Sequence, residues 1–272
     1  MTLKEKLKTY QQQRKAILAM NFYNLETLQA ILISVSQSQM PVILQLTKSS
    51  IDYIGLKEAV TLARQSLETF NVEGWIHLDH GDSFELIKKC LEQGFDSVMI
   101  DASNESFSKN IEITRKIVDQ AAKYNANVEA ELGYIAKLGQ QQKGEYTTAE
   151  EAAEFVEKTG VDALAIAIGS AHGFYKSEPH LNIRRLKEIH AVTDAVLVLH
   201  GSSGIPEEQI KDAVQNGITK INFATEIKNM FMKSLKEVLR ETDEIDLRIV
   251  FPKARKFVVD LLIEKYRKIS SN

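Results

Sequence analysis

Apolar and polar residues along the chain repeat one couplet. A short apolar run of strand length is followed by a stretch whose apolar residues are spaced for one face of a helix. The runs are 16–20, 41–46, 75–78, 97–100, 127–130, 163–168, 196–199 and 218–221. The helical stretches that follow them are 25–37, 54–70, 84–92, 110–124, 149–158, 183–190, 206–215 and 224–240. Residues 4–14 and 251–269 add a helix at each end. Thr148 with Glu151 reads as a capping box for the helix that begins at 149. Gly94, Gly160 and Gly217 each follow a helix and precede a strand, which suits left-handed helix ends.

Strands alternating with helices imply a parallel sheet. Eight couplets in 272 residues predict an α/β fold, a (β/α)8 TIM barrel with extra N- and C-terminal helices, as one domain over 1–272. A doubly wound open sheet is the alternative, because alternation does not by itself prove closure. No linker or break in composition divides the chain.

Composition narrows the function. Apolar residues make up 44% and the net charge is −3. That balance gives no electrostatic case for nucleic acid or an anionic membrane surface, and the apolar runs are short of a membrane span. Residues 1–8 open an amphipathic helix without the apolar core of a secretory leader. The one cysteine, Cys90, excludes an internal disulfide and sits in a helical apolar pattern as a structural thiol. The expected compartment is the cytoplasm.

Reactive residue types follow the predicted strands: Asp79 and His80, Asp101, Glu131, His172, His200 and Asn222. In a barrel those ends meet on one face, where active sites are built. His80, His172 and His200 each precede a glycine. One such histidine alone is more often a hydrogen-bonded structural residue. Three at equivalent positions suit a catalytic Zn²⁺ site with an open position. Asp79 reads as a general acid/base or as a carboxylate orienting a histidine. Glu131 reads as a ligand or an ion-pair partner, and Asp101 as a supporting residue. Glu129 is expected to face a helix, His77 to support the site or fill the core, and His180 and His190 to lie on the surface. The small-residue turns at Gly173, at Gly201-Ser202-Ser203-Gly204 and at Asn222-Phe223-Ala224-Thr225 suit a phosphate, since two of them follow the last two strands and open helices.

These segments together resemble the class II, metal-dependent ketose-bisphosphate aldolases. The resemblance is carried in order by Asn21-Phe22-Tyr23-Asn24-Leu25-Glu26-Thr27, His77-Leu78-Asp79-His80-Gly81, Val98-Met99-Ile100-Asp101-Ala102-Ser103, Val128-Glu129-Ala130-Glu131-Leu132-Gly133, Gly169-Ser170-Ala171-His172-Gly173, Leu199-His200-Gly201-Ser202-Ser203-Gly204 and Lys220-Ile221-Asn222-Phe223-Ala224-Thr225-Glu226. Residues 24–27 and 222–226 are most similar to the tagatose-bisphosphate branch. The resemblance implies Zn²⁺ on His80, His172 and His200, with Glu131 as an alternative or second-metal ligand. It implies Asp79 as the acid/base at the C4 hydroxyl of the sugar. Gly173, Lys176, Gly201, Ser203, Asn222 and Thr225 would hold the dihydroxyacetone-phosphate half, and Asn21 and Ala224 join the substrate-binding set. A monovalent cation, Na⁺ or K⁺, is admitted near the phosphate. The implied partner is a small phosphosugar, and the implied assembly a homodimer or homotetramer.

The resemblance breaks in three places. After Glu131-Leu132-Gly133 the family usually carries Gly-Gly-x-Glu-Asp, whose Glu serves in proton transfer. Here Tyr134, Ile135, Ala136, Lys137, Leu138, Gly139 and Gln140 follow. The usual Asp-Pro-Arg is Asp246-Leu247-Arg248, so Arg248 or Arg255 is the candidate for the far end of the substrate. Lys48 follows Thr47 where the family often has Ser-Glu. These changes leave three readings: cleavage of tagatose or fructose 1,6-bisphosphate, cleavage of a ketose 1-phosphate with another tail (6-sulfo or deoxy-gluconate type), or a catalytically idle phosphosugar-binding subunit. An unrelated phosphosugar isomerase barrel would need no Zn²⁺ and give no triose product.

Overall fold

The structure, a computed structural model, describes residues 1–133, 135, 146–175 and 178–270. Eight parallel strands, β1 (Ile17–Asn21), β2 (Val42–Thr47), β3 (Gly74–Gly81), β4 (Ser97–Ile100), β5 (Asn127–Leu132), β6 (Ala163–Ile166), β7 (Val196–Leu199) and β8 (Ile218–Phe223), pair in chain order. β8 pairs back onto β1, with Leu18 opposite Ile221. The barrel is therefore closed and the open-sheet alternative falls.

Side chains alternate across each strand, and the two faces have separate fates. Ile17, Ala19, Ile43, Trp75, Ala163, Ala165, Val196 and Val198 form one apolar cluster. Leu18, Met20, Leu44, Ile76, Val98, Leu164 and Leu197 pack with the surrounding helices in another. The first cluster is the lower lumen, and the helix Leu3–Gln12 closes it by inserting Leu3 and Leu7. That helix opens on a Thr2–Glu5 capping box. Lys4 pairs with Asp162, and Lys6 with Glu73 at 2.6 Å, in the turns before β6 and β3.

The expected helix over 54–70 is present as Leu56–Thr69, and a further helix, Lys48–Ile54, precedes it, the two separated at Gly55 with φ 95°. Thr47 caps the shorter helix, accepting from the Ser50 amide at 3.3 Å. The polar run 47–50 is thus a helix start, where Ser and Thr are favoured because they satisfy free amides. Gly94, Gly160 and Gly217 all have positive φ, as the helix-end reading requires. The Thr148–Glu151 capping box is present.

Candidate active site

The strand ends converge on one face. At β3 the pairing register with β4 shifts between Leu78 and Gly81, and His80 takes φ +50°. A regular strand would send Asp79 and His80 to opposite faces; the irregularity turns both into the same cavity. Left-handed backbone is rare for a residue with a side chain and marks a constrained position.

His80 Nδ1 lies 2.9 Å from Asp101 Oδ2. Asp101 is itself fixed by the Ser103 hydroxyl at 2.7 Å and amide at 3.3 Å. His80 Nε2 is thereby directed inward, 3.2 Å from His200 Nδ1. The His172 ring meets His80 and His200 edge-on, at centroid distances of 4.9 and 5.7 Å. One donor atom each from His80, Glu131, His172 and His200 falls within 4.8 Å of the others. Glu131 Oε2 is buried with no hydrogen-bond partner.

The electrostatics match this crowding. Burial opposes the His80 imidazolium, but Asp79, Asp101 and Glu131 outweigh it and raise its pKa to about 9. Burial, with help from Asp101, raises Glu131 to about 8. Burial, His80 and Lys220 push His200 far down. Burial works against the Asp79 carboxylate, yet His80, His200, Lys220 and Asn21 hold it below its ordinary value. Asn21 donates to Asp79 Oδ2 at 2.9 Å and Asn222 to Oδ1 at 3.3 Å. Gln45 in turn donates to Asn21 Oδ1 at 2.9 Å, so β1, β2 and β8 aim one carboxylate.

The cavity, about 240 Å³, has Asp79, His80, His172 and His200 on one wall. Asn21, Gly173, Gly201, Ser203, Asn222, Ala224 and Thr225 also line it. Gly201 has φ +64°, and a Cβ there would stand 2.3 Å from the Ala171 carbonyl oxygen, so only glycine lets the turns after β6 and β7 meet. Tyr175 ties those turns together: its hydroxyl accepts from the Ala171 amide and donates to the Gly201 carbonyl, each at 2.7 Å. Ser202 donates to the Asn222 carbonyl. The helix Thr225–Glu241 starts at this edge.

Lys228 also lines the cavity, a residue that sequence reasoning missed. It sits one turn beyond Thr225, on the same helix face, and its Nζ is 5.6 Å from the centre of the Tyr23 ring. Lys176 and Lys137 lie outside the described residues. One expectation is corrected. Glu129 does not face a helix: it is buried in the lumen, 2.8 Å from both His200 Nε2 and Lys220 Nζ. Closure of the barrel turns its side of β5 inward, with Glu131. Arg248 and Arg255 do not reach this cavity. Arg248 is bound at 2.7 Å to Asp246 on the surface, and Arg255 to Gln29.

A closed barrel that gathers three imidazoles, two carboxylates and a glycine-lined turn at its C-terminal face is an enzyme architecture with a candidate metal centre. The family model "Fructose-bisphosphate aldolase class-II" matches residues 1–272. A fructose-bisphosphate aldolase of Geobacillus stearothermophilus is 38% identical over 278 aligned positions, covering 100% of this chain and 97% of that protein. The crystal structure of the YdjI aldolase from Escherichia coli K12 superposes with a TM-score of 0.87 at 32% identity, covering 99% and 97% of the two chains. A Campylobacter jejuni fructose-bisphosphate aldolase structure shares the fold, with a TM-score of 0.85 at 21% identity over 98% and 94%. The chain belongs to the class II fructose-bisphosphate aldolase family and is a class II aldolase, a carbon–carbon lyase.

Proposed function

We propose that the protein is a Zn²⁺-dependent aldolase that reversibly cleaves a ketose 1-phosphate of the tagatose or fructose 1,6-bisphosphate type. The products are dihydroxyacetone phosphate and an aldehyde. The observation that carries this is the convergence of His80, His172, His200 and Glu131 beside a glycine-lined turn and a helix start. The donor set fits a divalent metal. Three nitrogens and a buried carboxylate oxygen without a partner share one small volume, and imidazole with carboxylate suits Zn²⁺. When bound, the metal would act as a Lewis acid that stabilises negative charge on the ketone half.

The chain's own groups supply the rest. Asp79 stays ionised, with both oxygens directed by Asn21 and Asn222, and takes the proton of the C4 hydroxyl as the bond to C3 breaks. The amides near Gly173 and Gly201, the Ser203 hydroxyl and the start of the helix at Thr225 cradle the 1-phosphate; the family resemblance adds Lys176 to this set. Holding that remote group fixes the reacting carbons against Asp79. Lys228 is the one lysine or arginine among the described residues that lines the cavity, and it meets an anionic tail. The assembly in this reading is a cytoplasmic homodimer or homotetramer, with Na⁺ or K⁺ near the phosphate.

His200→Ala tests the reading. Zn²⁺ content and turnover should fall together, measured by metal analysis and a coupled triose-phosphate assay. Zn²⁺-dependent turnover that survives the substitution removes His200 from the ligand set.

A further inference from the structure

Below the three imidazoles the lumen holds a buried polar chain that the proposed reaction does not use. It runs from Ser97 through His77, Lys220 and Glu129 to His200. Ser97 Oγ lies 2.7 Å from His77 Nδ1 and accepts from Asn127 at 3.0 Å. Lys220 Nζ is 3.5 Å from His77 Nε2 and 2.8 Å from Glu129 Oε2. Glu129 Oε1 is 2.8 Å from His200 Nε2. Glu129, His77 and His200 are wholly buried and Lys220 is 1% exposed.

The partners assign the protons. An ammonium only donates, so His77 Nε2 accepts and its Nδ1–H points to Ser97. A carboxylate only accepts, so His200 carries its proton on Nε2. A neutral imidazole has one N–H, which leaves the His200 lone pair on Nδ1. Asn222 Nδ2 is 3.5 and 3.1 Å from Nδ1 and Nε2. An atom that close to both nitrogens stands over the ring face, so it does not compete for either lone pair.

A second observation points the same way. Asp101 holds Nδ1 of His80 just as Glu129 holds Nε2 of His200. The nitrogens left over, His80 Nε2 and His200 Nδ1, are the two that approach to 3.2 Å. Two carboxylates thus turn opposite nitrogens of two rings to one point. The two supports differ in setting: Asp101 keeps a polar turn around it, whereas Glu129 is enclosed and would be a stranded charge without Lys220.

We propose that Glu129, held by Lys220, is a positioning residue for the metal centre: it accepts the hydrogen bond of the His200 Nε2–H and leaves Nδ1 to face the metal. Lys220 neutralises Glu129, so the orientation is imposed without adding net charge beneath the ligands. The proposal rests on the reading of His80, His172 and His200 as ligands. It predicts that groups below the ligands govern metal affinity without touching substrate.

The test uses the full chain with nitrogen-labelled histidine, loaded with cadmium in place of Zn²⁺. Nitrogen–cadmium coupling in the wild type should appear at His200 Nδ1, with the proton on Nε2. In parallel, Glu129→Ala with Lys220→Met removes both charges together. It should weaken metal binding about 10- to 100-fold in chelator competition. Glu129→Gln with Lys220→Met restores a carbonyl acceptor and should recover most of that loss. Coupling through His200 Nε2, or unchanged affinity in a folded Ala/Met variant, overturns the proposal while leaving the three ligands in place. Cadmium that couples to none of the three imidazoles overturns the metal-site reading and this inference with it. The wild-type spectrum decides the matter even if a variant fails to fold.

Discussion

Asp79 and Glu131 are two buried carboxylates beside the same imidazoles, yet their surroundings drive them apart. Asp79 has two amide donors and cationic neighbours and stays ionised. Glu131 has an unpartnered oxygen and acidic company, which raises it to about 8. One is prepared to accept a proton; for the other, burial and the Asp101 charge outweigh the help of His80. Asp79→Asn should therefore lower kcat by about 10²- to 10⁴-fold while Zn²⁺ stoichiometry stays the same; metal lost along with activity would make Asp79 a ligand or its support instead. Cys90 offers a contrast without function. Burial raises its thiol from 9.0 to about 12. The folded state favours the neutral thiol, so the unfolded chain loses that proton first. This contribution to stability is complete below about pH 9 and declines as pH rises toward 12. Iodoacetamide at pH about 9 should leave the native thiol intact and alkylate it only after denaturation; rapid alkylation of native protein would contradict its burial.

The strands were readable because each apolar run has the length and branching of a buried strand and a helix pattern follows it. What the pattern hid was local. The short helix Lys48–Ile54 was hidden because its first residues are polar, and glycine at φ 95° separates it from the helix expected over 54–70. The register shift at β3 could not be seen, since alternation along a single strand cannot report a neighbour's register. Glu129 was misplaced for a related reason: which parity faces inward is fixed only when the barrel closes. Lys228 was passed over because the motif before it ends at Glu226, while the helix carries on into the cavity wall. The N-terminal helix shows the reverse case, an amphipathic stretch whose apolar face has one partner, the open lower end of the barrel. Leu7 is fully buried there. Leu7→Ala should cost about 2–5 kcal/mol of unfolding free energy in urea denaturation, with Zn²⁺ affinity unchanged. A cost near zero would show that this helix does not seal the lumen.

Along its axis the lumen changes character in three layers. Apolar residues with Leu3 and Leu7 close the bottom. The Ser97–His77–Lys220–Glu129 chain fills the middle. The imidazoles and the glycine-lined turns form the top. Rigidity below thus holds geometry above, which is how a barrel fixes groups drawn from distant parts of the sequence. No described helix is long and apolar enough to cross a membrane. The family was legible because these top-layer residues recur as motifs in order, whereas the substrate's far end was not, because the basic arm that would report it is altered to Asp246-Leu247-Arg248. Triose-phosphate release therefore tests the whole account most directly. Tagatose and fructose bisphosphates and ketose phosphates with sulfonate or deoxy-gluconate-type tails would be assayed before chelation, after it, and after Zn²⁺ is restored. The account predicts release from one of them that chelation abolishes and Zn²⁺ returns. Absence of release from every substrate, with Zn²⁺ bound, would contradict it and make the chain a phosphosugar-binding subunit.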